Sequence, residues 1–207
     1  MDVPLAGDRK AQLLSVATAR FVADGYAATS VASIVRAAGV SQGTFYNYFD
    51  SKQALLAELR RGVFKRYAIA LSTSADPALA PDEALVRTVA RILAALRDNL
   101  PLERVFREAE SARDTQRAAL QGRARLSALA AARIDAGIAS GVFATDDPAL
   151  ASRFIITLFD NVLDESLVYE DPGRADAVAA AALRFSLAGL GVPLARARAL
   201  AASLEST

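Results

Sequence analysis

A short segment near residue 45 concentrates uncharged polar side chains of the kind that bind nucleic-acid bases. They are Gln42, Thr44, Tyr46 and Asn47. An amide can bond an adenine edge through both of its groups, and a threonine methyl can contact the methyl group of thymine. Phe45 and Phe49 lie four positions apart, hence on one side of a helix, where they can anchor it to a core. The segment could therefore present base-reading groups outward from a buried aromatic face.

Few residues of this chain are suited to catalysis. It has no histidine and no cysteine, which excludes most nucleophile–base pairs and thiolate metal sites. It also lacks the glycine-rich sequences that bind nucleotide phosphates. Asp160 and Asp164 could form a carboxylate-only site, but acids four apart are common on helix surfaces. We therefore expect no enzyme, no metal site and no cofactor.

The charge distribution is uneven although the net charge is only +1. Residues 1–66 contain nine basic and five acidic residues, and residues 67–207 contain fifteen and eighteen. A basic head on a mildly acidic body is typical of a nucleic-acid-binding module joined to another domain. The first residues do not resemble a secretory signal, and the longest uncharged run, Ala37–Phe49, is too short to span a bilayer. We expect a soluble cytoplasmic protein.

The elements that must position the polar segment follow from apolar spacing and turn residues. Thr29 caps a second helix, and Gly39 then makes a tight turn with positive φ. Ser41 caps a third helix, which runs to about Tyr48. Two short helices joined by a glycine turn, at about residues 30–49, predict a helix-turn-helix whose second helix can enter a major groove.

The rest of the chain shows helical periodicity and no strand-like alternation. A proline-bearing link at 72–81 separates the fourth helix from a helix at 82–99, and Pro101 is expected to start a new short helix. Later helices are expected at 115–140, 148–169 and 174–190, with a turn at Asp171–Gly173 and a basic helix after Pro193. The fold class is therefore all-α, with about nine to ten helices.

Residues 9–66 resemble the DNA-binding domain of the tetracycline-repressor (TetR) family of bacterial regulators. The matching positions keep one register across this third of the chain: Phe21, Gly25–Tyr26, Thr29–Val31, Ile34, Ala38–Ser41, Gly43–Phe49, Ser51–Lys52 and Leu55–Leu56. The resemblance implies a three-helix DNA-binding domain over residues 1–66 and a helical effector-binding and dimerisation domain over residues 67–207. It also implies a homodimeric, ligand-responsive repressor of a palindromic operator, with a small-molecule effector of unknown identity.

The resemblance also identifies positions expected to contact DNA: Thr29, Ser41, Gln42, Gly43, Thr44, Tyr46, Asn47, Tyr48 and Lys52. Among them, Asn47, Tyr48 and Lys52 are placed for phosphates. Gln42 stands where relatives commonly have lysine, so a cationic contact is replaced by an amide. Asp50 stands where proline or a basic residue is more usual, and an acid near phosphates should weaken binding slightly.

The helices at 148–169 and 174–190 are expected to form a four-helix bundle with their copies in a homodimer. Candidate interface residues are Ile155, Leu158, Phe159, Val162, Leu183 and Leu187. A polar line along the first of these helices is either the rim of that interface or part of a ligand pocket. Candidate ligand-binding residues are Phe106, Phe154, Thr157, Asp160, Asn161 and Asp164.

Two alternative functions stay open at this point. A transcriptional activator would have the same fold, because the sign of regulation depends on where the operator lies. A helical scaffold or ligand-sequestering protein would not bind DNA, and it would not need the outward set of Gln42, Thr44 and Tyr46.

Overall fold

The computed structural model describes residues 6–73, 76, 78–109, 113–168 and 172–204, with the side chains of 6–8, 165–168 and 172–173 left out. Within these ranges the protein is helical and contains no strand. The helices are α1 (Ala6–Asp24), α2 (Val31–Ala38), α3 (Gln42–Tyr46), α4 (Lys52–Thr73), α5 (Pro81–Glu108), α6 (Arg113–Ala139), α7 (Pro148–Val168), α8 (Pro172–Gly189) and α9 (Leu194–Ala202). The predicted all-α class is confirmed.

Two of the differences from the sequence-based expectation involve proline. Pro101 lies inside the continuous helix α5 and does not start a new one. A proline in a helix interior removes one backbone hydrogen bond, yet here both halves of α5 are held by buried side chains, Leu96 before it and Leu102 after it. Pro172 is the first residue of α8, a position where its missing N–H costs nothing, so the predicted turn at Asp171–Gly173 is wrong for Pro172 and Gly173. Asp171 lies outside the described residues.

The chain divides into two compact units. Unit 1 comprises Met1–Val63 and Pro101–Gln121, so it combines the helix-turn-helix with the end of α5 and the start of α6. Its largest fully buried side chains are apolar and come from four helices: Leu13, Phe21, Ile34, Phe45, Leu55 and Leu56. Burial of this kind, at about 1.5–3 kcal/mol per large side chain, is what holds such short helices together.

Unit 2 comprises Phe64–Leu100 and Gly122–Thr207. Its core is centred on α8, where Leu183 and Leu187 are fully buried, and α7 and α9 both pack against this helix. Val89 and Leu93 of α5 and Ile134 of α6 complete the same cluster. None of the described helices is long and apolar enough to cross a membrane.

The compact units do not coincide with the two predicted domains. The predicted boundary at residue 66 follows the chain, whereas compactness assigns residues 101–121 to the unit that contains the helix-turn-helix. The functional division at residue 66 stays a prediction.

Candidate nucleic-acid interface

Helix α2 begins with a reciprocal cap. The Ser30 hydroxyl accepts the backbone N–H of Ser33 at 3.1 Å, and the Ser33 hydroxyl accepts the backbone N–H of Ser30 at 3.2 Å. This arrangement satisfies backbone donors that a helix start leaves unpaired. The N-cap is therefore Ser30 and not Thr29, which the sequence had indicated.

Thr29 lies inside unit 1. Its side chain is only 2% exposed, and its hydroxyl donates to the carbonyl oxygen of Gly25 at 2.8 Å. The DNA contact at Thr29 stays a prediction, and the buried side chain leaves it to the backbone. The side chain fixes the loop between α1 and α2.

The turn between α2 and α3 depends on Gly39. Its φ of 64° is left-handed, a region that glycine enters without a steric penalty, and its N–H donates to the carbonyl of Arg36 at 3.2 Å. The N–H of Val40 donates to the carbonyl of Val35 at 3.0 Å. These bonds close α2 and turn the chain immediately into the next helix.

Helix α3 is short and is held at both ends. The Ser41 hydroxyl accepts the N–H of Thr44 at 3.1 Å and lies 2.9 Å from the Thr44 hydroxyl. At the other end the N–H of Phe49 donates to the carbonyl of Phe45 at 3.0 Å. The helix ends at Tyr46, two residues earlier than predicted, and a turn follows.

Two phenylalanines attach α3 to the core, as predicted. Phe45 is fully buried and Phe49 is 4% exposed, and their ring centroids lie 5.6 Å apart. The Tyr46 ring meets the edge of the Phe45 ring at 5.3 Å, while the Tyr46 side chain remains 53% exposed. Anchoring on one side fixes the direction of the side chains on the other side.

The exposed side of α3 carries the predicted base-reading group. Exposed residues in and beside the helix are Ser41, Gln42, Gly43, Tyr46 and Asn47. Thr44 and Tyr48 are half-buried, and the Thr44 hydroxyl is already engaged with Ser41. The face is uncharged and rich in groups that can donate and accept hydrogen bonds.

Lys52 forms hydrogen bonds within unit 1 that the sequence did not predict. Its ammonium donates to the backbone carbonyls of Tyr26 and Thr29, both at 2.8 Å, and lies 4.2 Å from the centre of the Tyr26 ring. Burial lowers the pKa of Lys52 below its usual value. Since two of its three donors point inward, Lys52 joins α4 to the loop before α2. The phosphate contact of Lys52 stays a prediction.

A cation that the sequence reasoning did not select lies nearby on α2. Arg36 is in the last turn of this helix and is exposed. An exposed arginine in the first helix of a helix-turn-helix can reach backbone phosphates. The sequence could have indicated that Arg36 is exposed, because this residue lies outside the apolar series of that helix.

The end of α5 belongs to the same unit and supports it from within. Glu103 is buried and is ion-paired with Arg60, whose guanidinium lies 4.6 Å from the centre of the Phe106 ring. Glu108 accepts the backbone N–H of Tyr26 at 3.2 Å. Phe106 is 4% exposed in this core, and its place in a ligand pocket stays a prediction.

Comparison with known proteins agrees with this geometry. Residues 13–59 match the family model of bacterial regulatory proteins of the tetR family, and residues 78–164 match the model of a tetracyclin repressor-like C-terminal domain. Together these two segments cover well over half of the chain. The chain belongs to the TetR family. It is a DNA-binding regulator of transcription, as its sequence predicts.

Individual relatives are distant but share the layout. The uncharacterised HTH-type transcriptional regulator YhgD of Bacillus subtilis is 27% identical over 154 residues, which are 73% of this chain and 81% of that protein. The HTH-type transcriptional repressor KstR2 of Rhodococcus jostii is 37% identical over 84 residues, 39% of this chain and 41% of that repressor. A TetR transcription regulator of known structure from Haloarcula marismortui superposes with a TM-score of 0.76 at 19% identity, covering 88% of this chain and 98% of its own.

Unit 2 of this TetR-family regulator contains a cavity of about 310 Å³. Its walls come from α4, α5, α6, α7 and the loop after α6, and Leu71, Leu85, Ile134, Phe143 and Ile155 are among the lining residues. None of the six predicted ligand-binding residues lines it. Asp160 lies 2.9 Å from Arg123 in an ion pair, and the exposed Asn161 amide donates to the carbonyl of Thr157 at 3.0 Å. Asp164 is exposed, and Phe154 and Thr157 line a separate groove.

That groove lies between α7 and α8 and is open and largely apolar, with a volume of about 490 Å³. It exposes three large apolar side chains: Leu150 (43%), Phe154 (62%) and Phe185 (70%). Exposed aromatic surface of this kind marks an interaction site. The sequence had placed Phe154 in the ligand pocket.

The six predicted dimer contacts are divided between the core of unit 2 and the groove. Val162, Leu183 and Leu187 are fully buried in the core of unit 2 and offer no surface to a partner. Phe159 is partly buried against that core. Ile155 and Leu158 do reach the lining of the groove. The correction has a simple cause: α7 is apolar around most of its circumference, so the sequence does not distinguish the inward face from the outward one.

Proposed function

We propose that this protein is a ligand-responsive repressor that acts in the cytoplasm and binds a palindromic operator as a homodimer. One observation carries the DNA-binding part of the proposal. Helix α3 presents Gln42 and Tyr46 to solvent while Phe45 and Phe49 lock its opposite side into the core. A fixed helix with an exposed polar face is what insertion into a major groove requires.

Contacts within the proposed interface divide into two kinds. The side chains proposed to contact base edges are those of Gln42, Thr44 and Tyr46, and Gly43 allows the backbone to approach the DNA closely. Ser41, Asn47 and Tyr48 are placed for phosphates, and Arg36 supplies the exposed cation that Gln42 does not. Lys52 and Thr29 stabilise the loop between α1 and α2, and with it the conformation of unit 1 that exposes these side chains.

The groove between α7 and α8 is proposed as the homodimer interface. Phe154 and Phe185 would pack against their counterparts across a two-fold axis, since an isologous contact brings the same patch together from both protomers. Dimerisation has a clear physical use here. Two recognition helices about 34 Å apart can bind successive turns of a palindrome.

The cavity of unit 2 is proposed as the effector site. Its volume of about 310 Å³ lies at the lower end of the range of about 300–1,000 Å³ that is usual for ligand pockets. An effector releases DNA only by binding the DNA-incompetent conformation more tightly, and a coupling of about 10-fold to 100-fold is a typical allosteric factor.

Binding of the protein to a duplex carrying its selected half-sites, measured by fluorescence anisotropy at two salt concentrations, tests the proposal. We expect specific binding that weakens steeply as salt rises, because phosphate contacts release counterions. Equal affinity for the selected and a scrambled duplex would contradict it and would favour a helical scaffold or ligand-sequestering role.

A further inference from the structure

The cavity of unit 2 has a strongly biased lining. Leucine, isoleucine, alanine and phenylalanine side chains make up most of its wall, and the Phe143 ring forms part of it. This ring rests against the α6 backbone at Gly137, where an added Cβ would lie only 2.1 Å from a ring carbon. The close approach to α6 leaves no room for a side chain at Gly137, and Phe143 remains part of the cavity wall. An apolar body of modest size is therefore the natural occupant.

A single arginine interrupts the apolar lining. Arg133 of α6 donates to the hydroxyl of Thr88 at 3.1 Å and to the carbonyl of Ser72 at 3.3 Å. Both partners are neutral, and within the part of the chain that the structure describes no carboxylate lies within ion-pair distance of this guanidinium. A guanidinium has five N–H donors, so the donors not used by Thr88 and Ser72 remain for a ligand.

The acidic residue at the cavity, Asp76, already forms an ion pair with another residue. Asp76 also lines the cavity, but its carboxylate is ion-paired with Arg87 at 2.7 Å and accepts the N–H of Ala78 at 2.9 Å. The bond from Ala78 and then that from Arg87 hold the pKa of Asp76 below its usual value, so this charge persists and stays compensated. Among the residues that the structure describes, Arg133 has no carboxylate partner.

We propose that this cavity binds a small amphipathic carboxylate, with the carboxylate on the Arg133 guanidinium and the apolar body against Leu85, Ile134 and Phe143. The inference deepens the proposed effector site and rests on it. A planar guanidinium forms paired, charge-assisted hydrogen bonds with a carboxylate, which are about twice as strong as neutral ones. A neutral ligand would gain the apolar contacts and at most weaker hydrogen bonds, and a cationic one would be repelled.

The state of Arg133 agrees with this assignment. Burial lowers the pKa of its guanidinium, which means that the charge is partly removed from water. Arginine nevertheless stays protonated at neutral pH. A carboxylate in the cavity would restore the lost charge stabilisation, and a desolvated cation gains more from such a partner than an exposed one.

The test is a calorimetric titration of the full protein chain with three eight-carbon probes: octanoate, octanol and octylamine. It separates the contribution of the ligand's polar head group to affinity from that of its alkyl group. The wild-type protein is expected to bind octanoate at least about tenfold more tightly than octanol, with octylamine weakest. Arg133→Met should abolish the preference for octanoate while octanol binding persists, which shows that the cavity is intact. Arg133→Lys should recover part of the preference. Arg125→Met, an exposed arginine on the same helix, is the matched control and should behave as wild type.

Each other outcome counts against the assignment. Equal binding of octanoate by the wild type and Arg133→Met would overturn it, as would a preference for octanol or octylamine. Failure of octanoate, hexanoate and phenylacetate to bind at millimolar concentration would overturn it as well. Binding that persists unchanged in Ala130→Leu, which fills the cavity, would place the ligand elsewhere.

These titrations contain no DNA and so stand apart from the proposed repression. Octanoate binding without release of operator DNA would refute ligand-responsive repression but leave the ligand class intact. Operator binding without any carboxylate binding would refute the ligand class and leave the DNA-binding role intact.

Discussion

Lys52 connects parts of the DNA-binding head that are far apart in sequence. At the first turn of α4, its ammonium joins two carbonyls of the α1–α2 loop and stacks on Tyr26. The loop then continues into the capped start of α2, which leads to the recognition helix. Lys52 is thus expected to have two roles, a contact with phosphate and a stabilising contact within unit 1.

Replacing this lysine distinguishes the two roles. Lys52→Met should lower the free energy of unfolding by about 1–2 kcal/mol, because two hydrogen bonds from a charged donor are lost. Thermal or urea unfolding measures it. Lys65→Met, exposed on the same helix, is the control and should change stability by less than about 0.5 kcal/mol. Unchanged stability combined with lost DNA binding would indicate that Lys52 contacts phosphate directly.

Tyr46 should show the opposite behaviour. Its side chain is 53% exposed, so Tyr46→Ala should leave stability nearly unchanged and weaken operator binding by about tenfold or more. Gel shift and thermal unfolding on the same preparations provide both readouts. Val22→Ala, similarly exposed on α1, should affect neither. If the Tyr46→Ala variant binds operator DNA with wild-type affinity, α3 is not part of the DNA interface.

At the scale of secondary-structure elements, ion pairs connect helix α9 to the start of helix α5. Arg196 donates to the buried carboxylate of Asp82 and to Glu83 at 3.2 Å. The bond from Arg196 lowers the pKa of Asp82, and the same pair raises the pKa of Arg196. A carboxyl whose pKa falls on folding stabilises the protein above its unfolded value, about 3.9, and this stabilisation disappears as pH falls through the folded value.

Asp82→Asn should therefore reduce stability by about 1–3 kcal/mol at pH 7. Unfolding curves measured between pH 7 and acid should show the difference between variant and wild type shrinking as pH drops. Arg198→Gln, on an exposed position of α9, should have little effect at any pH. A difference that stays constant with pH would mean that the ion pair does not contribute.

The elements also show which parts of the structure the sequence could predict. The helix-turn-helix was predictable because Gly39, Ser41, Phe45 and Phe49 act locally, through a turn, a cap and a four-residue spacing. The direction of Lys52 was not, since it depends on a loop twenty-three residues away. The faces of α7 were not predictable either, because apolar residues surround that helix and only its tertiary partners separate core from surface.

At the scale of the whole molecule, α5 and α6 each contribute to both compact units. Pro101 falls where α5 passes from one unit to the other, and Gly122 marks the corresponding point of α6. No local signal in the sequence distinguishes residues 101–121 from the rest of these helices. Their assignment to unit 1 depends on buried partners such as Arg60 with Glu103.

Assembly of two protomers has its own prediction. Phe185→Glu places a charge in the exposed apolar groove and should convert a dimer into a monomer without unfolding it, since this side chain is 70% exposed. Sedimentation velocity measures the mass, and circular dichroism verifies the fold. Leu194→Glu, 51% exposed outside the groove, should remain dimeric. A dimeric Phe185→Glu variant would place the interface elsewhere.

Selection of bound duplexes from a random pool tests the central claim most directly, because it reports the half-site and its spacing together. The proposed α3 interface in a homodimer predicts enrichment of two inverted half-sites with centres about one helical turn, or a multiple of it, apart. The same selection with Gln42→Ala should lose preference at defined positions of each half-site while the spacing is kept. No enriched sequence, or a single half-site without an inverted copy, would contradict it.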